Sequence, residues 1–274
     1  MNLDIDKIAS ARKKQSRKQH NLDYLFSGIR RELEGRVLER ISRKDDPVDT
    51  SLSDSSVAES DRCLVIDFLS GDINPAGYEQ VEYISLLENS AQCDAGLESL
   101  ADESFDCVVE NLQVCWLDFP AHLRQVNRIL KTDGIYVFSC FGPDTLYEVW
   151  SAWHEVDDFL HVHDFVDMHH LGDALLKTGF KKPIVDAEWT FIDYPDTTTL
   201  CRDLKAEGFM NVRDDRRKTL TGKQRFRQFH EKMKSGSNIL NPSSPFRVTY
   251  EIVYGMGVKF QADRPGSIKV NFPV

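Results

Sequence analysis

The sequence predicts an α/β fold with a doubly wound, Rossmann-like parallel sheet. Two short apolar runs, residues 107–109 and 135–138, flank a segment whose apolar residues recur at helical spacing. A third apolar run, residues 63–67, ends in an acid, as the first strand of a dinucleotide-type sheet does. A helix between two buried strands implies a right-handed parallel crossover. We therefore expect ligands beyond the carboxyl ends of these strands.

Composition narrows the class of protein. The 274 residues carry a formal charge of −10, which argues against a nucleic-acid partner because such proteins need a basic surface. No run approaches the roughly 20 apolar residues of a membrane span, and no apolar stretch follows the N-terminal charges. The six cysteines include no C-x-x-C pair, which favours reduced, buried thiols. We expect a cytoplasmic protein without a membrane segment.

The chain divides by composition into four parts. Residues 1–42 are predicted to be N-terminal helices, and the polar, serine-rich residues 43–62 a linker. Residues 63–260 form the sheet domain, with a helical cap over about 155–235, and residues 261–274 form a tail.

The first crossover of the sheet is shortened. After the strand Cys63–Asp67, a second strand is predicted over Val81–Leu87, but residues 74–77, Asn-Pro-Ala-Gly, cannot make a long helix between them. The alternating residues 249–255 predict a closing strand at the far end of the domain.

A family resemblance rests on the corner after the central strand. The order Asn111-Leu112, Gln113 and Trp116, followed by Leu123-Arg124, is similar to class I S-adenosylmethionine (SAM) methyltransferases. Within that superfamily it resembles the malonyl-acyl-carrier-protein (malonyl-ACP) O-methyltransferases of biotin synthesis and the methyltransferase-like assembly factor of respiratory complex I. Later segments, including 144–149, 152–153 and 165–169, extend the match over about residues 105–255.

The resemblance implies a SAM site and also shows where this chain departs from it. The matching cofactor positions are Asp67, Gly71, Glu88, Asp94 and Asn111. Leu69 and Ile73 stand where the family has glycine, and Glu110 stands where it has a small residue, which would place a charge beside the cofactor carboxylate. Glu88 and Asp94 are equally well explained as ordinary loop carboxylates.

The resemblance also implies substrate residues. Trp116 would wall the pocket, Arg124 and Lys205 would hold the substrate carboxylate, and Tyr24 is the candidate for an aromatic side chain near the transferred methyl group. Methyl transfer needs positioning and desolvation, so no catalytic acid or base is expected. An acyl carrier protein or another acidic partner would need a basic patch, and the cations between 213 and 227 offer one, unless they are only solvated.

Metal binding is not expected. Five of the eight histidines lie between residues 154 and 170, but their spacing does not give a recognisable ligand set. Two functions therefore stay open: a SAM-dependent O-methyltransferase, and a methyltransferase fold that serves as a binding or assembly module without SAM. Hydroxylation, as in the complex I relatives, would depend on the tail alone.

Overall fold

The computed structural model describes residues 22–44, 61–67, 73–84, 95–206, 211, 216, 219–240 and 246–260. The strands are β1 (Arg62–Asp67), β2 (Gln80–Ile84), β3 (Phe105–Asn111), β4 (Leu130–Phe141), β5 (Phe180–Asp193) and β6 (Arg247–Lys259). The helices are α1 (Asp23–Lys44), α2 (Ala95–Glu98), α3 (Phe119–Ile129), α4 (Tyr147–His154), α5 (Met168–Lys177), α6 (Thr197–Ala206) and α7 (Lys223–Leu240). A 3₁₀ turn spans Val114–Trp116.

The six described strands form one sheet in the order β2-β1-β3-β4-β6-β5. The first four are parallel, while β6 is antiparallel to both β4 and β5. The predicted β-α-β unit is confirmed as β3, α3 and β4. Its register places Asn111 beside Asp67 on one side and beside Ser139 on the other. Three neighbouring strands thus bring one polar residue each to the same level of the sheet.

The shortened first crossover is also visible. In its described part, residues 73–79, the chain makes a turn at Ala76 and Gly77 and no helix. Ile73 is completely buried, and its carbonyl accepts a hydrogen bond from the Tyr83 hydroxyl at 3.0 Å. A residue that the resemblance aligns with glycine is therefore used here as a core side chain.

Helix α1 covers one face of the sheet. The predicted apolar positions Leu25, Ile29, Leu33 and Val37 are buried, whereas Leu38 is 44% exposed. Arg36 binds both carboxylate oxygens of Asp186 at 2.8 and 2.9 Å, and its guanidinium lies 4.6 Å from the Tyr254 ring centroid. These contacts join α1 to β5 and β6, so the N-terminal helix is part of the folded domain.

The opposite face is closed by α3 and α5. Asp118 caps α3 by accepting a hydrogen bond from the Ala121 amide at 3.0 Å. Where β6 passes β4, Gly255 lies opposite Phe138, and a Cβ atom at position 255 would stand 2.1 Å from the ring. Only glycine leaves room for the Phe138 side chain at this crossing.

Strand β5 lies inside the range 155–235 that the sequence assigned to a helical cap. It spans 14 residues at the edge of the sheet and pairs with β6. The side chains of this strand do alternate, with Val185, Ala187 and Trp189 on one face. The alternation is hard to recognise in the sequence because Lys181, Lys182 and Pro183 lie near the start of the strand. Lysine and proline are typical of exposed edges, which explains why they are tolerated here.

Candidate functional site

Three buried polar side chains lie at the carboxyl ends of the central strands. The Asn111 amide nitrogen donates to Asp67 Oδ1 at 3.0 Å, and Asn111 Oδ1 accepts from the Ser139 hydroxyl at 2.9 Å. We call Asp67, Asn111 and Ser139 the strand-end cluster. Because both ends of the Asn111 amide are engaged, this side chain ties β1, β3 and β4 together rather than pointing at a ligand.

The chain turns sharply beyond this cluster. Leu112 adopts the left-handed conformation with φ of 56°, and its amide donates to the carbonyl and the hydroxyl of Ser139 at 3.0 and 3.2 Å. A non-glycine residue in this region is uncommon, and such residues concentrate at functional sites. The bend directs the chain into the 3₁₀ turn that carries Trp116.

Trp116 lies in a buried aromatic group. Its ring centroid is 4.8 Å from His163 and 6.1 Å from Phe165. His163 Nε2 lies 3.2 Å from the Cys115 carbonyl oxygen, and the Phe141 amide donates to Cys115 Sγ at 3.0 Å. These contacts fix the 3₁₀ turn against β4 and the 161–165 loop, so Trp116 has one defined position.

Glu110 faces away from the strand-end cluster, which corrects the expectation that it would lie beside the cofactor. Successive residues of a strand point to opposite faces, and Glu110 extends into the core under α3. Its carboxylate lies 2.7 Å from His122 Nε2 and accepts a hydrogen bond from the Tyr136 hydroxyl. Burial, and then the charge of Glu110, raise the pKa of Tyr136 well above its ordinary value. Glu110 is completely buried, and its Oε1 has no hydrogen-bond partner among the described residues.

A second buried carboxylate shapes the loop after β4. Glu251 Oε2 accepts from the Asp144 amide at 2.8 Å, and the Glu251 carbonyl accepts from the Gly142 amide at 2.9 Å. Burial raises the pKa of Glu251, as do the nearby charges of Asp144 and Asp167, while the Asp144 amide opposes them. A Cβ atom on Gly142 would collide with this carboxylate at 2.3 Å, so the loop requires glycine there.

The structure joins some of the predicted site residues and separates others. Asp67 and Asn111 are in direct contact, and Trp116 follows on the same edge of the sheet. Arg124 is exposed on α3 and Lys205 is exposed on α6. Tyr24 is 74% exposed on α1. The other named positions lie outside the described residues: Leu69, Gly71, Glu88 and Asp94.

Two of the histidines between residues 154 and 170 have carboxylate partners. His161 Nε2 lies 2.7 Å from Asp157 and its ring stacks on Trp153, while His169 Nδ1 lies 2.8 Å from Asp167. Within the described residues, no group of three or more histidine, cysteine, aspartate or glutamate side chains could hold a metal ion. In the same part of the chain, no helix is both long and apolar enough to cross a membrane.

Ser139, His163 and Glu251 were not singled out as site residues from the sequence, although ligands were expected at the strand end where Ser139 lies. Ser139 carried a usable signal, because it directly follows the apolar run 135–138 and the carboxyl ends of parallel strands meet at one edge of the sheet. Glu251 carried none, since a glutamate inside an alternating strand is ordinarily expected to face water.

Comparison with known proteins identifies the class first. Residues 54–138 match a family described as methyltransferase domain. A methyltransferase structure from Bacillus halodurans superposes with a TM-score of 0.50 at 13% identity, covering 74% of this chain and 94% of that one. The protein thus has the class I methyltransferase fold, as the sequence predicted.

The sequence relatives show which branch of methyltransferases the chain resembles. The chain is 37% identical over 180 residues to the malonyl-[acyl-carrier protein] O-methyltransferase of Gallionella capsiferriformans, covering 64% of this chain and 61% of that protein. It is also 37% identical over 157 residues to the enzyme of that name from Laribacter hongkongensis, covering 57% and 52%. The resemblance to the malonyl-ACP O-methyltransferase branch is confirmed, and the matches span about half to three-fifths of these relatives' lengths.

Proposed function

We propose that this protein is a SAM-dependent O-methyltransferase whose substrate is the malonyl group of an acyl carrier protein, in the synthesis of the pimelate precursor of biotin. The names of its relatives supply the substrate class. The observation that carries the proposal is the direction of Glu110. Because this carboxylate is held in the core by His122 and Tyr136, it adds no negative charge to the corner where an anionic cofactor group would lie.

The described corner supports this proposal through its rigidity, because the Asn111 amide is engaged within the sheet. Asp67 and Asn111 stand at adjacent strand ends, and the hydrogen bonds to Ser139 hold that edge in one conformation. When bound, SAM supplies an electrophilic methyl group on its sulfonium. The contribution of the protein is then positional: Trp116 excludes water from the pocket, and Arg124 and Lys205 orient the substrate carboxylate.

The binding step is tested by calorimetric titration of the whole chain with SAM and with S-adenosylhomocysteine. Saturable micromolar binding of both is expected. Asn111→Ala removes the link between Asp67 and Ser139, so both affinities should fall by about 10-fold or more, in line with the energy of buried hydrogen bonds. Gln228→Ala, which removes an exposed amide side chain from the helix Lys223–Leu240, is the matched control and should bind like the natural protein.

The transfer step is tested by following methylation of malonyl-ACP. Lys205→Ala should raise KM for the malonyl substrate, because a cation that orients the carboxylate is lost. Lys177→Ala, which removes an exposed lysine from α5, should leave KM unchanged. Equal KM values for the two variants would remove Lys205 from the substrate site.

A binding or assembly module without SAM is the second candidate. Burial of Ile73 favours it, because the resemblance expects glycine at that position and the side chain is committed to the core. Absence of heat at millimolar SAM, with the protein folded by circular dichroism, would establish this alternative over the enzyme.

A further inference from the structure

The first part of helix α7 carries a net positive charge, opposite in sign to the net charge of the whole chain. The protein has 44 acidic and 34 basic residues, yet residues 223–234 hold five cations and a single carboxylate. The cations are Lys223, Arg225, Arg227, Lys232 and Lys234. A cationic segment on an acidic protein creates a local positive potential that the rest of the surface does not share.

Packing of α7 determines which of these cations face outward. Phe229 and Met233 are buried, and the Phe229 ring stacks on Trp153 of α4 at 4.4 Å. At about 100° per residue, Lys223, Arg227 and Lys234 fall within about 40° of one another, to one side of this buried seam. We call these three residues the basic stripe. All three are exposed, and the stripe spans about 16 Å of helix at 1.5 Å per residue.

The cations of the basic stripe are not neutralised by ion pairs with other described residues. None of its three cations forms an ion pair with another described residue, whereas Lys232 on the other flank pairs with Glu155 of α4. Helix α7 also contacts the first residue of the helix that carries Lys205. Thr197 of α6, the helix that carries Lys205, lies 3.0 Å from His230 Nδ1 of α7. A partner on the stripe would therefore dock next to α6.

We propose that the basic stripe is the docking surface for an acidic helix of the acyl carrier protein. This inference rests on the proposed function and assigns the partner a place on the protein. Cations at helical spacing can pair with carboxylates at helical spacing on a second helix. Such charge complementarity mainly provides orientation and encounter rate. The stripe is connected to the carboxyl end of β4 through α4, the helix that follows this strand and against which α7 packs.

The test compares two triple variants of the full chain with the same charge change. One is Lys223→Glu with Arg227→Glu and Lys234→Glu. The other reverses three cations off the stripe, Arg31→Glu with Lys177→Glu and Arg225→Glu. Each triple variant replaces three positive charges by negative ones, so the formal net charge of the chain changes from −10 to −16. Binding of malonyl-ACP is measured by fluorescence anisotropy over a series of salt concentrations.

The stripe variant should bind the carrier about 10-fold more weakly at low salt and show a smaller salt dependence, while the control variant should change less than about 2-fold. Equal weakening of both variants, or an unchanged stripe variant, would overturn the docking surface. Absence of binding by the natural chain would overturn it as well.

A protein-free substrate separates this result from the proposed function. Methylation of malonyl-pantetheine needs the active site but no docked carrier, so the natural chain and the stripe variant should turn it over equally. Failure of the natural chain on this substrate contradicts the proposed function. Normal turnover together with an unchanged carrier affinity in the stripe variant contradicts the docking surface alone.

Discussion

For single residues, the direction in which a side chain points decides whether it belongs to the candidate site or to the core. Glu110 and Asn111 are neighbours in sequence, yet one is held in the core and the other closes the strand-end cluster. Their roles follow from the alternation of a strand, which sends adjacent side chains to opposite faces.

The Glu110–His122 contact should behave as a buried pair whose partners depend on each other. His122→Ala leaves a buried carboxylate without its imidazole and should destabilise the fold by about 3–5 kcal/mol. Replacing both residues by leucine should cost much less, because no charge is then left in the core. Urea unfolding of Glu110→Leu, of His122→Leu and of the double variant gives the coupling energy. Additive losses would show that the two side chains act independently.

Glu251 should make stability depend on pH. Its pKa is raised above the ordinary value of 4.5, so its contribution to stability is fully present below 4.5 and is lost as pH rises through the folded-state pKa. Glu251→Gln cannot titrate and keeps an oxygen for the Asp144 amide. The melting temperature of the variant should therefore rise relative to that of the natural protein as the pH is increased from about 4 to about 7. A constant difference over this range, or the same trend in the exposed Glu231→Gln control, would contradict the assignment.

At the scale of elements, the crossing of β4 and β6 depends on one glycine. Gly255→Ala would place a methyl group 2.1 Å from the Phe138 ring, and overpacking of this kind costs about 1–3 kcal/mol. Gly172→Ala in α5 is the matched control, because its new Cβ atom would meet Val185 at an ordinary 3.7 Å. The control should be neutral or stabilising, since alanine favours helix. Thermal unfolding measures both, and Phe138→Leu should partly rescue Gly255→Ala. If Gly255→Ala matched the control, the ring would have room to move.

At the scale of the whole molecule, α1 is an integral part of the domain. Leu33 is completely buried between α1 and the sheet, so Leu33→Ala should cost about 2–5 kcal/mol of unfolding free energy. Leu38→Ala, five residues along the same helix and 44% exposed, should stay within about 0.5 kcal/mol of the natural protein. Chemical denaturation followed by circular dichroism compares them. Similar small losses in both would mean that α1 packs only loosely.

The order of residues alone predicts the class of fold and its central β-α-β unit. Apolar runs with a helical segment between them leave few arrangements other than parallel strands with a crossover, so β1, β3, α3 and β4 could be predicted, and with them the edge that holds Asp67 and Asn111. These features depend on local periodicity, which is written in the order of residues.

Features that depend on contacts between distant segments of the chain follow only from the folded structure. The link between Asn111 and Ser139, the orientation of Glu110 towards His122, and the edge strand β5 all depend on register and on which face each residue occupies. Pairing across 12 to 28 residues or more cannot be read from a local pattern, because a shift of one residue reverses every side chain. The physical difference is between periodicity, which is local, and packing, which is not.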